Sequence, residues 1–84
     1  MKYYPIGTVV TLVNGDRPIM IYGRKQFQEN TDNIWDYVAC LYPEGNIGDD
    51  YTIFFQQEEI GKVHHLGLMS DAEKRMQELL NEVE

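Results

Sequence analysis

The order of hydrophobic and polar positions divides the chain into a strand-like part, residues 1–66, and a helical part, residues 67–84. In the first part, short runs of β-branched and aromatic residues alternate with clusters of Gly, Pro, Asn and Asp, which is typical of strands joined by turns. In the second part, apolar residues recur every three or four positions, as on one face of a helix. The pattern predicts an α+β domain, with a small antiparallel β-barrel or roll of four to five strands followed by a C-terminal amphipathic helix.

The most distinct local signal is a β-hairpin near the N-terminus. Residues 8–13 and 18–25 form two strand-like runs, and the Asn14-Gly15 pair between them favours a type I′ turn, which needs positive φ at both central positions. A polar stretch at 27–33 predicts a longer loop. The remaining runs predict strands at 34–42, 51–55 and 62–66, with a single helical turn at 56–60.

The third predicted strand is apolar on both faces. Alternation puts one set of side chains on one face, Trp35, Tyr37, Ala39 and Leu41, and a second set on the other, Ile34, Asp36, Val38, Cys40 and Tyr42. An open sheet with one wet face does not need two apolar faces. The strand therefore favours a closed barrel whose outer side meets another surface.

The helical part carries an apolar stripe formed by Ala72, Met76, Leu79, Leu80 and Val83. Ser70 and Glu73 have the spacing of a capping box, which predicts that the helix begins just after Ser70. We expect this stripe to pack on the strands. The alternative is that the stripe docks on a partner helix.

Composition and charge narrow the class of protein. The chain has 84 residues, 14 acidic against 7 basic side chains and a net charge of −7, which allows one domain, residues 1–84. Seven scattered cations do not suit nucleic-acid binding, and no apolar run has the length of a signal peptide or of a membrane span. The lone Cys40 cannot form an internal disulfide, which favours a reducing, cytoplasmic location.

No catalytic or metal-binding pattern stands out. Cys40 lies in the middle of a predicted strand, where a thiol usually behaves as a small buried hydrophobe, so a cysteine-dependent enzyme is the weakest hypothesis. His64 and His65 are adjacent in a predicted strand, and alternation puts them on opposite faces. We therefore predict a protein that is not an enzyme and has no cofactor or metal site.

Aromatic residues are abundant for so short a chain, with six Tyr, three Phe and one Trp. Tyr and Trp are enriched at protein interfaces because they bury a large area at low entropic cost. A core of this size does not easily bury all of them, so part of the set is expected to fill the barrel and part to form a protein-binding surface. The candidates are Tyr3, Tyr4, Tyr22, Trp35, Tyr42 and Tyr51.

Three segments resemble one family of short proteins from Gram-positive Firmicutes, classed as a domain of unknown function. They are Tyr4-Pro5-Ile6-Gly7-Thr8-Val9-Val10, Ile19-Met20-Ile21-Tyr22-Gly23-Arg24 and Asp36-Tyr37-Val38-Ala39-Cys40-Leu41-Tyr42-Pro43-Glu44-Gly45-Asn46. The family pattern has the form YPIGSVV, MIxGR and DYxxxxYPEGN, so Thr8 stands where the pattern has Ser. The resemblance covers about residues 3–66 and leaves the C-terminal helix outside it.

The resemblance implies a setting in type VII secretion. Genes of this family lie beside genes for toxins with an N-terminal LXG domain and for small helical partners of the WXG type, and some members look like dedicated chaperones of the LXG domain. The leading hypothesis is therefore a non-enzymatic, cytoplasmic adaptor or chaperone that binds the helical LXG domain or the small helical partners. The alternative is an immunity protein that neutralises the co-encoded toxin.

The predicted partner-binding edge lies on and after the third strand. Its residues are Trp35, Tyr42, Pro43, Glu44 and Asn46. The oligomeric state is left open by the sequence.

Overall fold

The computed structural model describes residues 1–29 and 31–82, which form one antiparallel sheet of five strands and one α-helix. The strands are β1 (Val9–Leu12), β2 (Ile19–Phe27), β3 (Ile34–Leu41), β4 (Ile53–Phe55) and β5 (Ile60–His65), and the helix is α1 (Asp71–Glu82). Short 3₁₀ turns at Asp49–Tyr51 and Gln57–Glu59 precede β4 and β5. The predicted α+β class, the strand number and the C-terminal helix are confirmed.

The boundaries of the predicted elements shift by a few residues. β2 continues to Phe27, which the sequence pattern assigned to a loop, and Tyr51 ends a 3₁₀ turn instead of beginning a strand. The helix begins at Asp71 as predicted, because the Ser70 hydroxyl accepts a hydrogen bond from the Glu73 N–H (3.1 Å). Val83, the last member of the predicted stripe, lies outside the described residues.

The predicted hairpin of β1 and β2 is present, but its type I′ turn is wrong. The Gly15 N–H donates to the Leu12 carbonyl (2.9 Å), and of the two central residues predicted, only Asn14 has a positive φ, 68°. The tight turn therefore spans Leu12–Gly15, one residue earlier than predicted. A positive φ at the third position of a turn is the geometry of type II, which Asn tolerates.

The strand order across the sheet is β4-β3-β2-β1-β5, so β4 and β5, neighbours in sequence, form its two edges. The chain from Phe55 to Ile60 includes a 3₁₀ turn and spans at most about 15 Å, whereas a flat five-stranded sheet would hold its edges about 19 Å apart. The sheet must therefore curl. Its edges do not pair within the described residues, so of the two predicted forms, barrel or roll, the structure is an open roll.

The core fills the inner side of this roll. It joins alternate side chains of the strands to the N-terminal segment and the helix: Tyr3, Val10, Ile19, Ile21, Tyr37, Ala39, Phe55 and Leu80. The Tyr37 ring stacks on Phe55 with centroids 5.2 Å apart and meets Tyr3 edge to face at 5.9 Å. These aromatic contacts supply much of the buried apolar area in so small a domain.

The second apolar face of β3 also exists. Val38 and Cys40 point away from the core and are nevertheless buried. Their partners in register are Phe54 and Met20, whose side chains shield them from water on the outer face of the roll. The sequence pattern was correct about the two faces, but neighbouring side chains account for the burial without barrel closure.

Thr8 ties the N-terminal segment to the end of β5. Its side chain is fully buried, its hydroxyl donates to the Pro5 carbonyl (2.7 Å), and it accepts from the Gly67 N–H (3.0 Å). A Cβ at Gly67 would lie 2.1 Å from the Ile6 carbonyl oxygen, so glycine is required for this close approach. Either Thr or Ser would supply this hydroxyl.

We predict that Thr8→Val lowers the free energy of unfolding by about 2 kcal/mol, because the isosteric valine leaves the buried Gly67 N–H without an acceptor. Thr8→Ser keeps both hydrogen bonds and loses one methyl group, so we expect a loss of at most about 1 kcal/mol. Urea denaturation of the two variants measures the difference. Equal losses in both variants would show that the methyl group, and not the hydroxyl, matters.

Candidate protein-binding groove

The helix α1 docks on the roll mainly through polar side chains. The Glu73 carboxylate forms a bidentate ion pair with Arg24 of β2, with Arg24 Nη2 2.9 Å from Glu73 Oε1, and the two side chains are only 6% and 10% exposed. One turn later, the Gln77 amide accepts from the Tyr3 N–H (2.9 Å) and donates to the Tyr3 carbonyl (2.6 Å). Leu80 adds the one buried apolar contact of the described helix.

The same ion pair holds the N-terminal segment. Arg24 Nη1 also donates to the Tyr4 carbonyl (3.3 Å), and the Tyr4 N–H donates to the Tyr37 hydroxyl (2.9 Å). Burial raises the pKa of Tyr37 to about 12, so its hydroxyl stays protonated and donates in turn to Gln57. A continuous hydrogen-bonded network therefore runs from the helix through the N-terminal segment to the turn before β5.

The Glu73 carboxylate of α1 is stabilised in its charged form. Hydrogen bonding to Arg24 holds the pKa of Glu73 below its ordinary value, and the amide of Gln77 (2.6 Å) acts in the same direction, against the opposing effect of burial. Glu73 was predicted to complete a capping box with Ser70. Its carboxylate instead binds Arg24, and the Ser70 side chain alone caps the helix.

Because polar residues make the docking face, the predicted apolar stripe faces mostly outward. Glu73, Gln77 and Leu80 lie on the sheet side of α1, while Met76 and Leu79 are 41% and 54% exposed. The expectation that the whole stripe packs on the strands is therefore wrong. Of its described members, Leu80 alone is buried.

The exposed stripe forms one wall of an apolar groove. The opposite wall is the last register pair of β2 and β3, Phe27 and Ile34, which are 63% and 51% exposed. Together with Leu80 and the stems of Arg24 and Lys25, these side chains enclose a volume of about 310 Å³ that is open to solvent. We call this site, lined by Phe27, Ile34, Met76, Leu79 and Leu80, the apolar groove.

A backbone irregularity in β2 places Phe27 in the groove. Lys25 has a φ of +52°, and its ammonium donates to the Leu80 carbonyl (2.8 Å), so Arg24 and Lys25 both face the helix although they are consecutive. Regular alternation counted from Arg24 would put Lys25 and Phe27 on the outer face, away from the helix. The left-handed residue shifts the alternation, and Phe27 turns towards α1.

Trp35 of the predicted edge lies at this end of β3, but on the outer face. Its ring packs against Phe54 with centroids 6.4 Å apart, whereas Tyr37 stacks on Phe55. The prediction that Trp35 and Tyr37 share a face is therefore wrong. Trp35 is the register partner of Gln26, so the shift of alternation at Lys25 in β2 is matched in β3. On the other side of β3, beyond the end of β4, the Gln56 side chain takes the place of a strand: its Oε1 accepts from the Asp36 N–H (3.0 Å) and its Nε2 donates to the Ile34 carbonyl (3.3 Å).

The other predicted edge residues lie in the turn after β3 and are exposed. The Tyr42–Pro43 peptide bond is cis, and the Gly45 N–H donates to the Leu41 carbonyl (2.8 Å) to close the turn that carries Asn46. Glu44 accepts from Arg17 (2.7 Å), and this exposed ion pair lowers the pKa of Glu44. Tyr42 borders an open pocket on the outer face with Val9 and Met20.

The structure does not bring the predicted edge together. Seven residues of extended chain, about 23 Å, separate Trp35 from Tyr42. The residues that line the apolar groove were missed as a site, since Phe27 was assigned to a loop and Met76 and Leu79 to a packed helix face. The sequence contains one signal for this site: Glu73 and Gln77, four residues apart, form a polar helix face that is separate from the apolar face of Met76 and Leu79.

The titratable residues considered for chemistry lie apart from the groove. Cys40 is buried on the outer face and its thiol contacts the Met20 carbonyl (3.8 Å). Val9 pairs with His65 and Val10 with Val63, so His64 is the unpaired residue of a bulge in β5. Its ring hydrogen-bonds the Thr11 hydroxyl (2.6 Å), and it borders the same outer pocket as His65. The prediction that the two histidines face opposite sides is therefore wrong. Among residues 1–29 and 31–82, no group of three or more His, Cys, Asp or Glu has metal-binding geometry.

Comparison with known proteins identifies the family. A family model described as Domain of unknown function (DUF4176) matches residues 3–76, so the chain belongs to this family. The match includes the first half of α1, with Glu73 and Met76. Comparisons with curated proteins and with solved structures gave no match. Within the described part of the chain, no helix has the length and apolar character needed to cross a membrane.

We predict that Glu73→Gln lowers the free energy of unfolding by about 2–3 kcal/mol, because it leaves the Arg24 charge buried without a counterion. Glu44→Gln is the matched control, since it breaks an ion pair between two largely exposed side chains and should change stability far less. Urea denaturation measures both. A loss in Glu44→Gln as large as that in Glu73→Gln would contradict the assigned role of the buried pair.

The same pair predicts a pH dependence. Since the folded pKa of Glu73 is lowered, its contribution to stability is fully present above its unfolded pKa of about 4.3 and is lost as the pH falls through the folded value. The free energy of unfolding of the native chain should therefore fall more steeply below about pH 5 than that of Glu73→Gln. Parallel pH profiles for the two proteins would show that Glu73 does not titrate with folding.

Proposed function

We propose that this member of the DUF4176 family is a non-enzymatic, protein-binding adaptor or chaperone for an LXG-type toxin exported by type VII secretion. The observation that supports the proposal is the apolar groove, in which four large apolar side chains remain exposed between the helix and the end of the β2–β3 hairpin. The proposal adds the secretion setting from the sequence motifs. It places the protein in the cytoplasm, where it would meet the toxin before export.

The shape of the groove suits a helical client. One wall is the side of a helix and the other is the tip of a hairpin, so an amphipathic helix can lie alongside α1 with its apolar positions between Met76, Leu79 and the pair Phe27 and Ile34. Recognition of this kind uses anchors at i, i+3 or i+4 and i+7 of the client. An LXG domain is helical, and an exported helical domain must keep such an apolar face covered before it reaches the secretion machinery.

The anchoring of α1 makes the groove a rigid receptor. Two contacts fix the helix on the roll without using its outward apolar residues. They are the buried ion pair of Arg24 and Glu73 and the two hydrogen bonds between the Gln77 side chain and the Tyr3 backbone. A preformed site loses little conformational entropy when it binds, which favours affinity. The net charge of −7 keeps the free protein soluble and favours encounters with basic surfaces of a client.

We predict that the protein co-elutes with the LXG domain of the toxin encoded beside it and that Met76→Glu abolishes the complex, because a carboxylate in the groove opposes burial of an apolar client face. Leu68→Glu is the matched control: it makes the same chemical change at a side chain that is 80% exposed and outside the groove. The measurement is size-exclusion chromatography of mixed purified proteins. No complex with the LXG domain would overturn the proposal.

Co-expression distinguishes the alternative role. An adaptor binds the LXG domain and gives no protection against the isolated C-terminal toxin domain. Protection of cells from that isolated domain, without binding to the LXG domain, would identify an immunity protein instead.

A further inference from the structure

The apolar groove exposes a large apolar area for so small a chain. With exposed fractions of 63%, 51%, 41% and 54%, the side chains of Phe27, Ile34, Met76 and Leu79 together expose about 400 Å². That is the size of the largest apolar patch on a typical monomer, and such patches mark contact surfaces. The free protein therefore gains stability if another surface covers the groove.

The outer border of the apolar stripe carries one cationic and one anionic side chain, two helical turns apart. Arg75 and Glu82 are seven residues apart on α1, which is two turns and a rise of about 10.5 Å, so they lie on the same side of the helix. Both flank Leu79 on the side away from Leu80. Neither side chain makes an ion pair with another of the described residues.

This arrangement is complementary to itself. When a second α1 lies antiparallel across a two-fold axis that passes beside Leu79, residues on the same border of the two helices face each other. Arg75 of each copy then lies opposite Glu82 of the other, which gives two symmetric ion pairs. Leu79 and Met76 of each copy then lie against the apolar groove of the other copy.

We propose that a second copy of this chain covers the apolar groove in the free protein, through antiparallel packing of the two α1 helices. The groove side of the contact joins Met76 and Leu79 of one copy to Phe27 and Ile34 of the other. The two Arg75–Glu82 pairs fix the direction and the register of the helices. This dimer is independent of the client that the proposed function assigns to the same groove, and a client with higher affinity would displace the second copy.

The size of the contact sets its expected strength. The apolar side chains and the charged border of α1 bury about 600–800 Å² per copy, at the low end of the range for specific interfaces. We expect a dissociation constant in the micromolar range, which leaves the groove accessible to a client.

Sedimentation equilibrium from about 1 to 200 μM tests the dimer directly, with the full chain. We expect Leu79→Glu to shift the protein to a monomer over this range, and Leu68→Glu, the same change outside the groove, to leave the dimer intact. A native chain that is monomeric at the highest concentration overturns the proposal. So does a dimer that persists in Leu79→Glu.

A charge exchange tests the antiparallel geometry. Arg75→Glu and Glu82→Arg each replace attraction by repulsion at two positions, so each should weaken the dimer about tenfold, whereas the double variant restores the pairs in reversed polarity. If only net charge mattered, Arg75→Glu would weaken the dimer and Glu82→Arg would strengthen it, because the first raises the net negative charge and the second lowers it. Failure of the double variant to recover overturns the proposed register.

The dimer and the proposed function can fail separately. A native chain that dimerises through Leu79 but does not bind the LXG domain retains the dimer and overturns the adaptor role. A monomeric chain that binds the LXG domain, with loss of binding in Met76→Glu, overturns the dimer and retains the adaptor role.

Discussion

The buried ion pair between Arg24 and Glu73 decides the layout of the whole molecule. Two charges that are almost fully removed from water must stay together, because separating them would leave an uncompensated buried charge. The pair fixes the rotation of α1 on the roll, and Arg24 also holds the Tyr4 carbonyl of the N-terminal segment. Everything on the outer side of the helix is a consequence of that rotation.

Polar anchoring has a consequence for function. A helix that docks through an apolar stripe hides the stripe, whereas α1 docks through Glu73 and Gln77 and keeps Met76 and Leu79 for another surface. The fold thus separates the residues that hold the helix from the residues that are free to bind. The Tyr3 backbone completes this separation, because the Gln77 amide pairs with it as a neighbouring strand would.

The family match and the groove bear on each other. The family model covers all five strands and continues into α1 as far as Met76. Arg24 and its partner Glu73 both lie within the matched residues. The first half of the helix is therefore part of the family domain, whereas Leu79 and Leu80 of the groove lie beyond the matched residues.

The sequence alone determined the elements of this protein. Local chemistry was sufficient for the hairpin of β1 and β2, for the two apolar faces of β3 and for a helix that begins after Ser70, because each depends on neighbours within a few residues. The burial of Cys40 also followed from its place in a strand. The predicted edge of Trp35, Tyr42, Pro43, Glu44 and Asn46 did not form one surface, because the length of β3 separates its ends.

Only the tertiary structure decided which faces meet. Helical periodicity identifies an apolar stripe but not its partner, and a buried ion pair between residues 49 positions apart overrode the expectation that the stripe packs inward. The positive φ of Lys25, matched in β3 through the register of the two strands, changed the alternation at the ends of β2 and β3, where Phe27 and Ile34 turned towards the helix and Trp35 turned away from it. These are contacts between distant segments, so no pattern along the chain contains them, and the groove exists because of them.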